Sequence, residues 1–520
     1  MVTYSGKSAG HEHATKRCRL APRPYPGAVQ TTPKIRTGSH DLPVSPALDA
    51  FMATAWAEPD EPAPDRHPAA DHTARRREAL SAMFPGERLV IPAGVLKVRS
   101  NDTDYLFRPH SAFVHLTAAQ EPEWCLVLEP GTVGHQAILY VRENGPRSEG
   151  AFYRDRRYGE LWVGPSPSMA HTSQHLGLTC RPLEALAPDL DRARSQAPAP
   201  VRLLRGVDPT VDALLPDGGI ADLTLESALS ELRLVKDEWE VAEIAGAVDA
   251  TVRGFEDVVR ALPEASRSGK GERWVEGVFG HRARLEGNGL GYDTIAAGGA
   301  HACVLHWIRN DGVLRDGDLL LLDAGVEAES LHTADVTRTL PVNGRFSPAQ
   351  RKVYDLVYAA QEAGIAAVRP GARFRDFHLA AMTMIAEGLE AWGLLPVSAA
   401  ESLQPDSGLH RRYTLCSSGH MLGLDVHDCA QARAEAYLDG VLEVGHVLTV
   451  EPGLYLQADD LTLPEELRGI GVRIEDDVVV TADGCRVLSS GLPRQADEIE
   501  AWMARLWAAD PAAPAAPAAP

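Results

Sequence analysis

The chain has 520 residues, which allows about three domains of ordinary size or two large ones with disordered ends, and its 44% hydrophobic composition is typical of a globular protein. The formal net charge of -21 disfavours a nucleic-acid partner, because an acidic surface repels phosphate backbones. A cytoplasmic protein without a membrane partner is expected, since no apolar run approaches the ~20 residues that span a bilayer, the first residues lack the apolar core of a secretion signal, and no CxxC pair occurs.

The N-terminal part is predicted to be an arm followed by an α/β domain. Residues 1–72 are rich in Pro, Ala, His and charge, which predicts a disordered arm. Residues 73–215 are predicted to form the α/β domain, with a helix from about Arg75 and strands at RLVIPA, SAFVHLTA, EWCLVLEP and QAILYVRE. A further helical pattern lies near MAHTSQHLG. At the other end of the chain, residues 507–520 are predicted to form a disordered Pro/Ala tail.

The predicted second domain covers residues 216–506 and contains two helices with clear start signals. Asp237 and Glu240 form a capping-box pattern, and apolar residues recur at helical spacing after them. Ser347 and Gln350 fit the cap and reciprocal-cap positions of another helix. Strand-like runs between and after these helices carry the candidate functional residues.

Two aspartates lie at the ends of strand-like runs. Asp323 ends the apolar run DGDLLLLDAG, and Asp335 precedes the alternating segment VTRTLPV. A β-hairpin would bring the two carboxylates together. The alternative for each is a turn or a solvated loop, where Asp is a favoured residue.

Two glutamates occupy similar positions further along the chain. Glu451 follows the apolar run VLTV and precedes a Pro-Gly turn. Arg473 and Glu475 are two residues apart, which predicts that both point to the same face of a strand. A structural ion pair between Arg473 and Glu475 is the alternative explanation.

The four acids are informative as a set. A buried cluster of two Asp and two Glu cannot stay ionised without compensating positive charge. One arginine is too little for four acids, whereas two divalent cations suffice. Carboxylates with a single imidazole favour manganese, or cobalt, iron or zinc, over a thiolate-type metal site. His420, in GHMLGLDVHD, is the natural nitrogen donor, although a lone histidine in an apolar run is more often a satisfied core residue.

These segments together resemble the Xaa-Pro aminopeptidases, or aminopeptidase P, of the pita-bread metallopeptidases. The matching segments are LHWIRND, LLLLDAG, TADVTRTLPVNG, GHMLGLDVHD, TVEPGLY and GVRIEDD, in the family's order. RSNDTDYLFRPHSAFVHLT resembles the family's creatinase-type N-terminal domain. The resemblance spans residues 75–505 and implies a creatinase-like α/β domain followed by a pita-bread (α+β) catalytic domain.

The resemblance implies a site for two divalent metal ions, with manganese preferred. Asp335 and Glu475 are expected to bridge the two ions. The implied ligands are Asp323, Asp335, His420, Glu451 and Glu475.

The resemblance also implies catalytic or supporting roles for four side chains. A water held between the metal ions is expected to become the nucleophile, with Glu451 accepting its proton. His427 is expected to stabilise the oxyanion, and His306 to hold the substrate backbone. Arg473 is expected to orient the metal-binding carboxylates.

The implied activity is removal of the first residue from peptides whose second residue is proline. General peptidases accommodate this bond poorly, because the proline ring fixes φ and removes an N–H. A prolidase that cleaves Xaa-Pro dipeptides, or a weakly active peptide-binding homologue, is the alternative. Relatives in the family form dimers or tetramers, so a homodimer or homotetramer is expected.

Cys416 departs from the family pattern, which usually has a histidine at this position. A thiol is a weaker hydrogen-bond donor than imidazole, so a contact to the substrate or to the reacting carbonyl would be weakened. Three interpretations stay open: a slower peptidase, a changed substrate preference, or a metal-bound binding protein. Replacing Cys416 with histidine distinguishes the first of these from the others.

Overall fold

The computed structural model describes residues 44–57, 61–143 and 145–509 of the chain. The chain divides into two compact units, Met1–Thr54 and Ala55–Pro520. The described part of the first unit contains helix α1 (Pro46–Met52), where Ser45 Oγ accepts a hydrogen bond from the N–H of Leu48. The prediction that residues 1–72 form a disordered arm is therefore wrong for this segment, because a serine cap and a first-turn proline start a helix even though none of its residues is buried. The earlier part of the predicted arm lies outside the described residues.

The N-terminal part of the second unit is an α/β structure around one mixed sheet. Its helices are α2 (Ala70–Met83), α3 (Ser111–Thr117), α4 (Ala151–Arg154), α5 (Glu160–Val163), α6 (Met169–Leu176), α7 (Leu186–Gln196) and α8 (Pro209–Leu214). Its strands are β1 (Arg88–Pro92), β2 (Val98–Ser100), β3 (Thr103–Asp104), β4 (Cys125–Pro130), β5 (His135–Val141), β6 (Thr179–Pro182) and β7 (Val201–Leu203). Five of them form the sheet, in the order β6-β5-β4-β1-β7, and β2 and β3 form a separate hairpin.

Alternate residues of the sheet strands pack into two separate hydrophobic cores, one on each face. Leu89 and Ile91 on β1 belong to the core that α2 and α3 cover, whereas Val90 belongs to the core on the opposite face with Leu190 of α7. Helices therefore cover both faces, which confirms the predicted α/β character of this part of the chain.

The segment SAFVHLT is helix α3 rather than the predicted strand. His110 caps the helix, and its Nδ1 accepts a hydrogen bond from the N–H of Ala112. Every residue of α3 is buried, so the sequence shows no one-sided apolar period that would reveal a helix.

The C-terminal part of the second unit contains long helices and several small sheets. Its helices are α9 (Ile220–Glu231), α10 (Glu238–Arg267), α11 (Gly271–Glu286), α12 (Pro348–Ala367), α13 (Phe374–Ala391), α14 (Ala399–Ser402) and α15 (Ala496–Ala508). Its strands are β8 (Gly289–Leu290), β9 (Ile295–Gly298), β10 (Leu319–Ala324), β11 (Val326–Glu327), β12 (Val336–Pro341), β13 (Val447–Val450), β14 (Gly453–Leu456), β15 (Ile470–Arg473), β16 (Asp476–Thr481) and β17 (Gly484–Val487). Since α15 extends to Ala508, the first residues of the predicted 507–520 tail are helical, and the tail from 510 onwards lies outside the described residues.

Two predicted helix starts are confirmed. Asp237 and Glu240 form a reciprocal capping box at α10, and Ser347 and Gln350 form one at α12. The sheets of this part have the orders β12-β10-β9, β13-β16-β17, β14-β15 and β11-β8. In the described ranges, no helix is both long and apolar enough to cross a bilayer.

Candidate metal centre and active site

All the predicted site residues line one cavity of about 340 Å³ in the C-terminal part of the second unit. The strands β10, β13 and β15 each bring an acid to this cavity at or just beyond their ends. The structure therefore collects residues that are far apart in the sequence. They are His306, Asp323, Asp335, His420, His427, Glu451, Arg473 and Glu475, with Cys416 beside them.

The two aspartates meet across the predicted hairpin. Strands β10 and β12 pair antiparallel with Asp323 opposite Thr337, and Asp335 immediately precedes β12. The hydroxyl of Tyr292 lies 2.6 Å from Oδ1 of Asp323 and 2.5 Å from Oδ1 of Asp335. Since a phenol carries one proton, it donates to one of these carboxylates at a time.

The two glutamates approach the same cavity from other strands. Glu451 follows β13, and its backbone N–H donates to the carbonyl of Ser418 over 2.9 Å. Glu475 follows β15, and its Oε2 accepts a 2.6 Å hydrogen bond from the hydroxyl of Thr337. The hairpin that places the aspartates thus also holds Glu475.

His420 presents one ring nitrogen to the acids. Its Nδ1 lies 3.1 Å from the carbonyl of Met421, a contact that requires the proton on Nδ1. Its Nε2 lies 3.3 Å from Oδ2 of Asp335 and 3.5 Å from Oε1 of Glu451. An imidazole held in this way has Nε2 directed at the carboxylates, which is the orientation that a metal ligand needs.

Burial and mutual repulsion shift the pKa values of the acids in the cavity. Burial raises the pKa of Glu451 to about 7, against the attraction of His420 and Arg473. Burial and repulsion by Asp335 raise the pKa of Glu475 well above its ordinary value. Burial also opposes protonation of His420, but its hydrogen bond with Asp335 and the attraction of Glu451 outweigh this and raise its pKa to about 9.

This donor set fits divalent cations. Asp335, His420 and Glu475 each offer a ligand atom, and these atoms all lie within 4.8 Å of one another. Clustered carboxylates that share buried space lose their mutual repulsion when a cation binds between them. Oxygen ligands with one imidazole suit manganese, iron, cobalt or zinc.

Arg473 is buried and pairs with an aspartate. Its Nη2 donates to Oδ2 of Asp323 over 2.5 Å, its Nη1 to the hydroxyl of Tyr455 over 2.9 Å, and its Nε to Oγ1 of Thr337 over 3.2 Å. Burial alone would lower the pKa of Arg473, but Tyr455 and Asp323 raise it well above its usual value. The ion pair considered between Arg473 and Glu475 is therefore directed at Asp323 instead.

His306 and His427 both line the cavity and come from different loops. The ring of His427 makes an edge contact with that of His420, with centroids 4.4 Å apart. Burial and the neighbouring His420 lower the pKa of His427, so it is neutral and retains one N–H donor. His306 follows the short helix Gly299–Cys303 and is exposed to the cavity.

Cys416 is an exposed thiol at the cavity wall. It borders both the cavity described above and a neighbouring one that is lined by His378 and Arg411. Partial burial and the negative charge of Glu451 raise its pKa, so the group stays a neutral thiol. Cys416 therefore lines the same cavity as the predicted site residues.

Some residues around the acids were not predicted from the sequence. Tyr292 joins the two aspartates, Tyr455 holds Arg473, and Asp477 accepts a 3.0 Å hydrogen bond from the backbone N–H of Asp335. Tyr455 lies four residues after Glu451 in the segment EPGLY, which is the only local sign of its role. Tyr292 lies before β9 in a glycine-rich segment, where nothing in the local sequence indicates its contact with the aspartates.

Comparison with known proteins gives the same result for both parts of the chain. Residues 72–199 match the aminopeptidase P N-terminal domain, and residues 242–482 match metallopeptidase family M24. Xaa-Pro aminopeptidase 2 of Streptomyces coelicolor is 55% identical over 465 residues, which cover 89% of this chain and 97% of that protein.

Solved structures agree with this result. Aminopeptidase PepP of Pseudomonas aeruginosa is similar with a TM-score of 0.75 at 32% identity, covering 85% of this chain and 99% of that one. Zn-substituted Escherichia coli aminopeptidase P in complex with product is similar with a TM-score of 0.73 at 29% identity, covering 85% and 99% of the two chains. These matches confirm the creatinase-like α/β domain followed by a pita-bread catalytic domain. The chain therefore belongs to the Xaa-Pro aminopeptidases of metallopeptidase family M24, a family of metal-dependent enzymes.

Proposed function

We propose that this chain removes the N-terminal residue from peptides whose second residue is proline. The observation that carries this proposal is the convergence of four acids, three histidines and Arg473 on one cavity. The names of the relatives support the choice of substrate, since they are Xaa-Pro aminopeptidases. A prolidase remains the enzyme alternative, because dipeptides would use the same metal-binding groups.

The proposed cofactors are two divalent metal ions, with manganese preferred. The support is the donor set, which combines four carboxylates with one imidazole and contains no thiolate. Such ions, when bound, acidify a coordinated water and polarise the scissile carbonyl. The proposed ligands are Asp323, Asp335, His420, Glu451 and Glu475.

The remaining chemistry is assigned to side chains of the cavity. The carboxylate of Glu451 accepts the proton of the attacking water and passes it to the leaving proline nitrogen. The neutral imidazole of His427 donates its N–H to the oxyanion of the tetrahedral intermediate. His306 holds the substrate backbone, and Arg473 keeps Asp323 in place through the 2.5 Å hydrogen bond.

A homodimer or homotetramer in the cytoplasm is proposed as the working state. Exposed apolar side chains in two neighbouring segments of the N-terminal domain support association, since Leu106 is 91% exposed and Trp162 is 49% exposed. The ion pair between Arg157 and Asp104 brings these segments together. The free cysteines among the described residues suit a reducing compartment. Analytical ultracentrifugation tests the oligomeric state.

A metal-reconstituted digest tests the proposed function. Purified protein is supplied with manganese and given Xaa-Pro dipeptides, Xaa-Pro-Yaa tripeptides, longer Xaa-Pro peptides and matched Xaa-Ala peptides, with products read by mass spectrometry. Release of the first residue from the tripeptides and longer Xaa-Pro peptides alone is expected. Asp335→Asn is expected to abolish the activity, whereas Asp316→Asn, at an exposed position before the same strand hairpin, is expected to retain it.

Two outcomes would contradict the proposal. Cleavage restricted to dipeptides would indicate a prolidase. Retention of peptide by the manganese-loaded protein without any product would indicate a binding homologue.

A further inference from the structure

We propose that Glu272, on helix α11, is a positioning residue that fixes the loop carrying His306 at the active site. Glu272 does not line the catalytic cavity and has no direct part in the chemistry proposed above. The inference rests on the proposed role of His306 in holding the substrate. Glu272 would affect the reaction indirectly, through the position of His306.

The carboxylate of Glu272 is surrounded by hydrogen-bond donors. Its Oε1 lies 2.8 Å from the backbone N of Gly298 and 2.7 Å from Nδ1 of His301. Its Oε2 accepts from Nε1 of Trp307 over 2.9 Å and from the backbone N–H of Gly312 over 2.6 Å. Each oxygen thus receives two donors, which matches the accepting capacity of a carboxylate.

These donors come from residues before and after His306 in the sequence. Gly298 and His301 precede it, and Trp307 and Gly312 follow it, so one buried side chain closes the loop at both ends. Glu272 has an exposure of 0%, which makes loss of any of these hydrogen bonds costly, because water cannot replace it. A Cβ at position 312 would lie 2.7 Å from the carboxylate, so the close approach depends on glycine there.

Other contacts also hold the loop backbone, whereas none of them involves the side chain of His306. The indole of Trp307 stacks on His301, with ring centroids 3.8 Å apart, and the side-chain amide of Asn310 is tied to β9. In the described part of the chain, the His306 side chain makes no hydrogen bond, so its position follows from that of the loop backbone. The carboxylate of Glu272 therefore sets where this imidazole stands.

The test is a double-mutant cycle with a conservative change. Glu272→Gln keeps the shape but turns an NH2 group toward two of the donors. With an Xaa-Pro-Yaa tripeptide and manganese, it is expected to lower kcat/KM by about tenfold or more without changing metal content. When His306→Ala is already present, the same substitution is expected to change kcat/KM by less than about twofold, because the positioned group is gone.

The control is Glu276→Gln, one turn further along the same helix, which is expected to retain full activity. Equal losses from Glu272→Gln in both backgrounds would overturn the inference. Should Glu272→Gln fail to fold, Trp307→Phe removes one donor and takes its place in the cycle.

Hydrogen exchange separates this inference from the proposed function. Amides of residues 299–312 are expected to exchange faster in Glu272→Gln while those of β10 and β13 do not change. Unchanged exchange in the loop would overturn the positioning role even if the wild-type protein cleaves its substrate. Failure of the wild-type protein to cleave any Xaa-Pro peptide would count against the proposed function alone.

Discussion

Arg473 is a buried arginine that pairs directly with the acid cluster. Its guanidinium contacts three groups at once, Asp323, Tyr455 and Thr337, a geometry that a lysine ammonium cannot reproduce. Arg473→Lys is expected to lower manganese affinity or kcat/KM by about 10–100-fold while the melting temperature stays close to that of the wild type. Metal titration and peptide turnover measure this, with Arg468→Lys as the matched control. Wild-type values for both in Arg473→Lys would contradict the orienting role.

Cys416 is the second position where a single substitution tests the proposed mechanism. Its neutral thiol faces the cavity and is a weak donor, so an oxyanion or substrate contact that imidazole would make is weakened. Cys416→His is expected to raise tripeptide turnover, by up to ~10²-fold if the new donor reaches the oxyanion. Cys416→Ser, which keeps the size of the side chain, is the control and is expected to give a smaller gain. No increase with histidine would remove the interpretation of a slower peptidase and favour a changed substrate preference.

At the scale of elements, the contact between the His420 loop and strand β13 is set by one glycine. Gly419 has φ +155°, and a Cβ there would lie 2.1 Å from the carbonyl oxygen of Thr449. Gly419→Ala is expected to displace His420, to weaken manganese binding and to destabilise the fold by roughly 1–3 kcal/mol. Thermal melting and metal titration are the measurements. Gly484→Ala is the control, because Gly484 has a similar φ of +157° but a Cβ there would meet no atom within 4 Å. This variant therefore has the same backbone strain without a steric clash. Equal losses in both variants would contradict the explanation by collision.

The elements also show what the sequence can and cannot predict. The capping boxes of α10 and α12 are local patterns, and both are confirmed. Helix α3 is fully buried and therefore lacks a one-sided apolar period, so its sequence pattern also fits a strand. The acids could be predicted because each lies within or directly beside an apolar strand. Tyr292 and Glu272 could not, since their contacts join segments that only the tertiary fold brings together.

At the scale of the whole second unit, partly buried polar contacts join the N-terminal domain to the C-terminal part. Arg76 pairs with Asp237 at the start of α10 over 2.6 Å. The hydroxyl of Ser111, at the start of α3, donates to Oδ1 of Asp425 over 2.5 Å, two residues before His427. Helix α3 therefore contacts the loop that carries a proposed catalytic histidine, so the integrity of its N-terminus matters for the site as well as for stability.

The histidine that caps α3 makes this junction sensitive to acid. Burial, with the nearby charge of Arg233, lowers the pKa of His110 to about 4, and only its neutral form accepts the hydrogen bond from Ala112. In the unfolded chain the pKa is about 6.5, so between about pH 6.5 and 4 the unfolded state binds more protons. Stability is therefore present above this range and is lost as the pH falls through it, by up to about 1.4 kcal/mol per pH unit for this group.

His110→Asn isolates this contribution, because asparagine keeps a capping oxygen but does not titrate. The variant is expected to melt close to the wild-type temperature at pH 7.5 and to lose less than the wild type between pH 7.5 and pH 4.5. Part of the acid sensitivity stays, since burial also lowers the pKa of His115 to about 3, against the attraction of Glu240. His281→Asn, at an exposed position on α11, is the control and is expected to follow the wild-type curve. If the melting temperatures of His110→Asn and the wild type fell equally between pH 7.5 and pH 4.5, protonation of the α3 cap would not explain the loss of stability in acid.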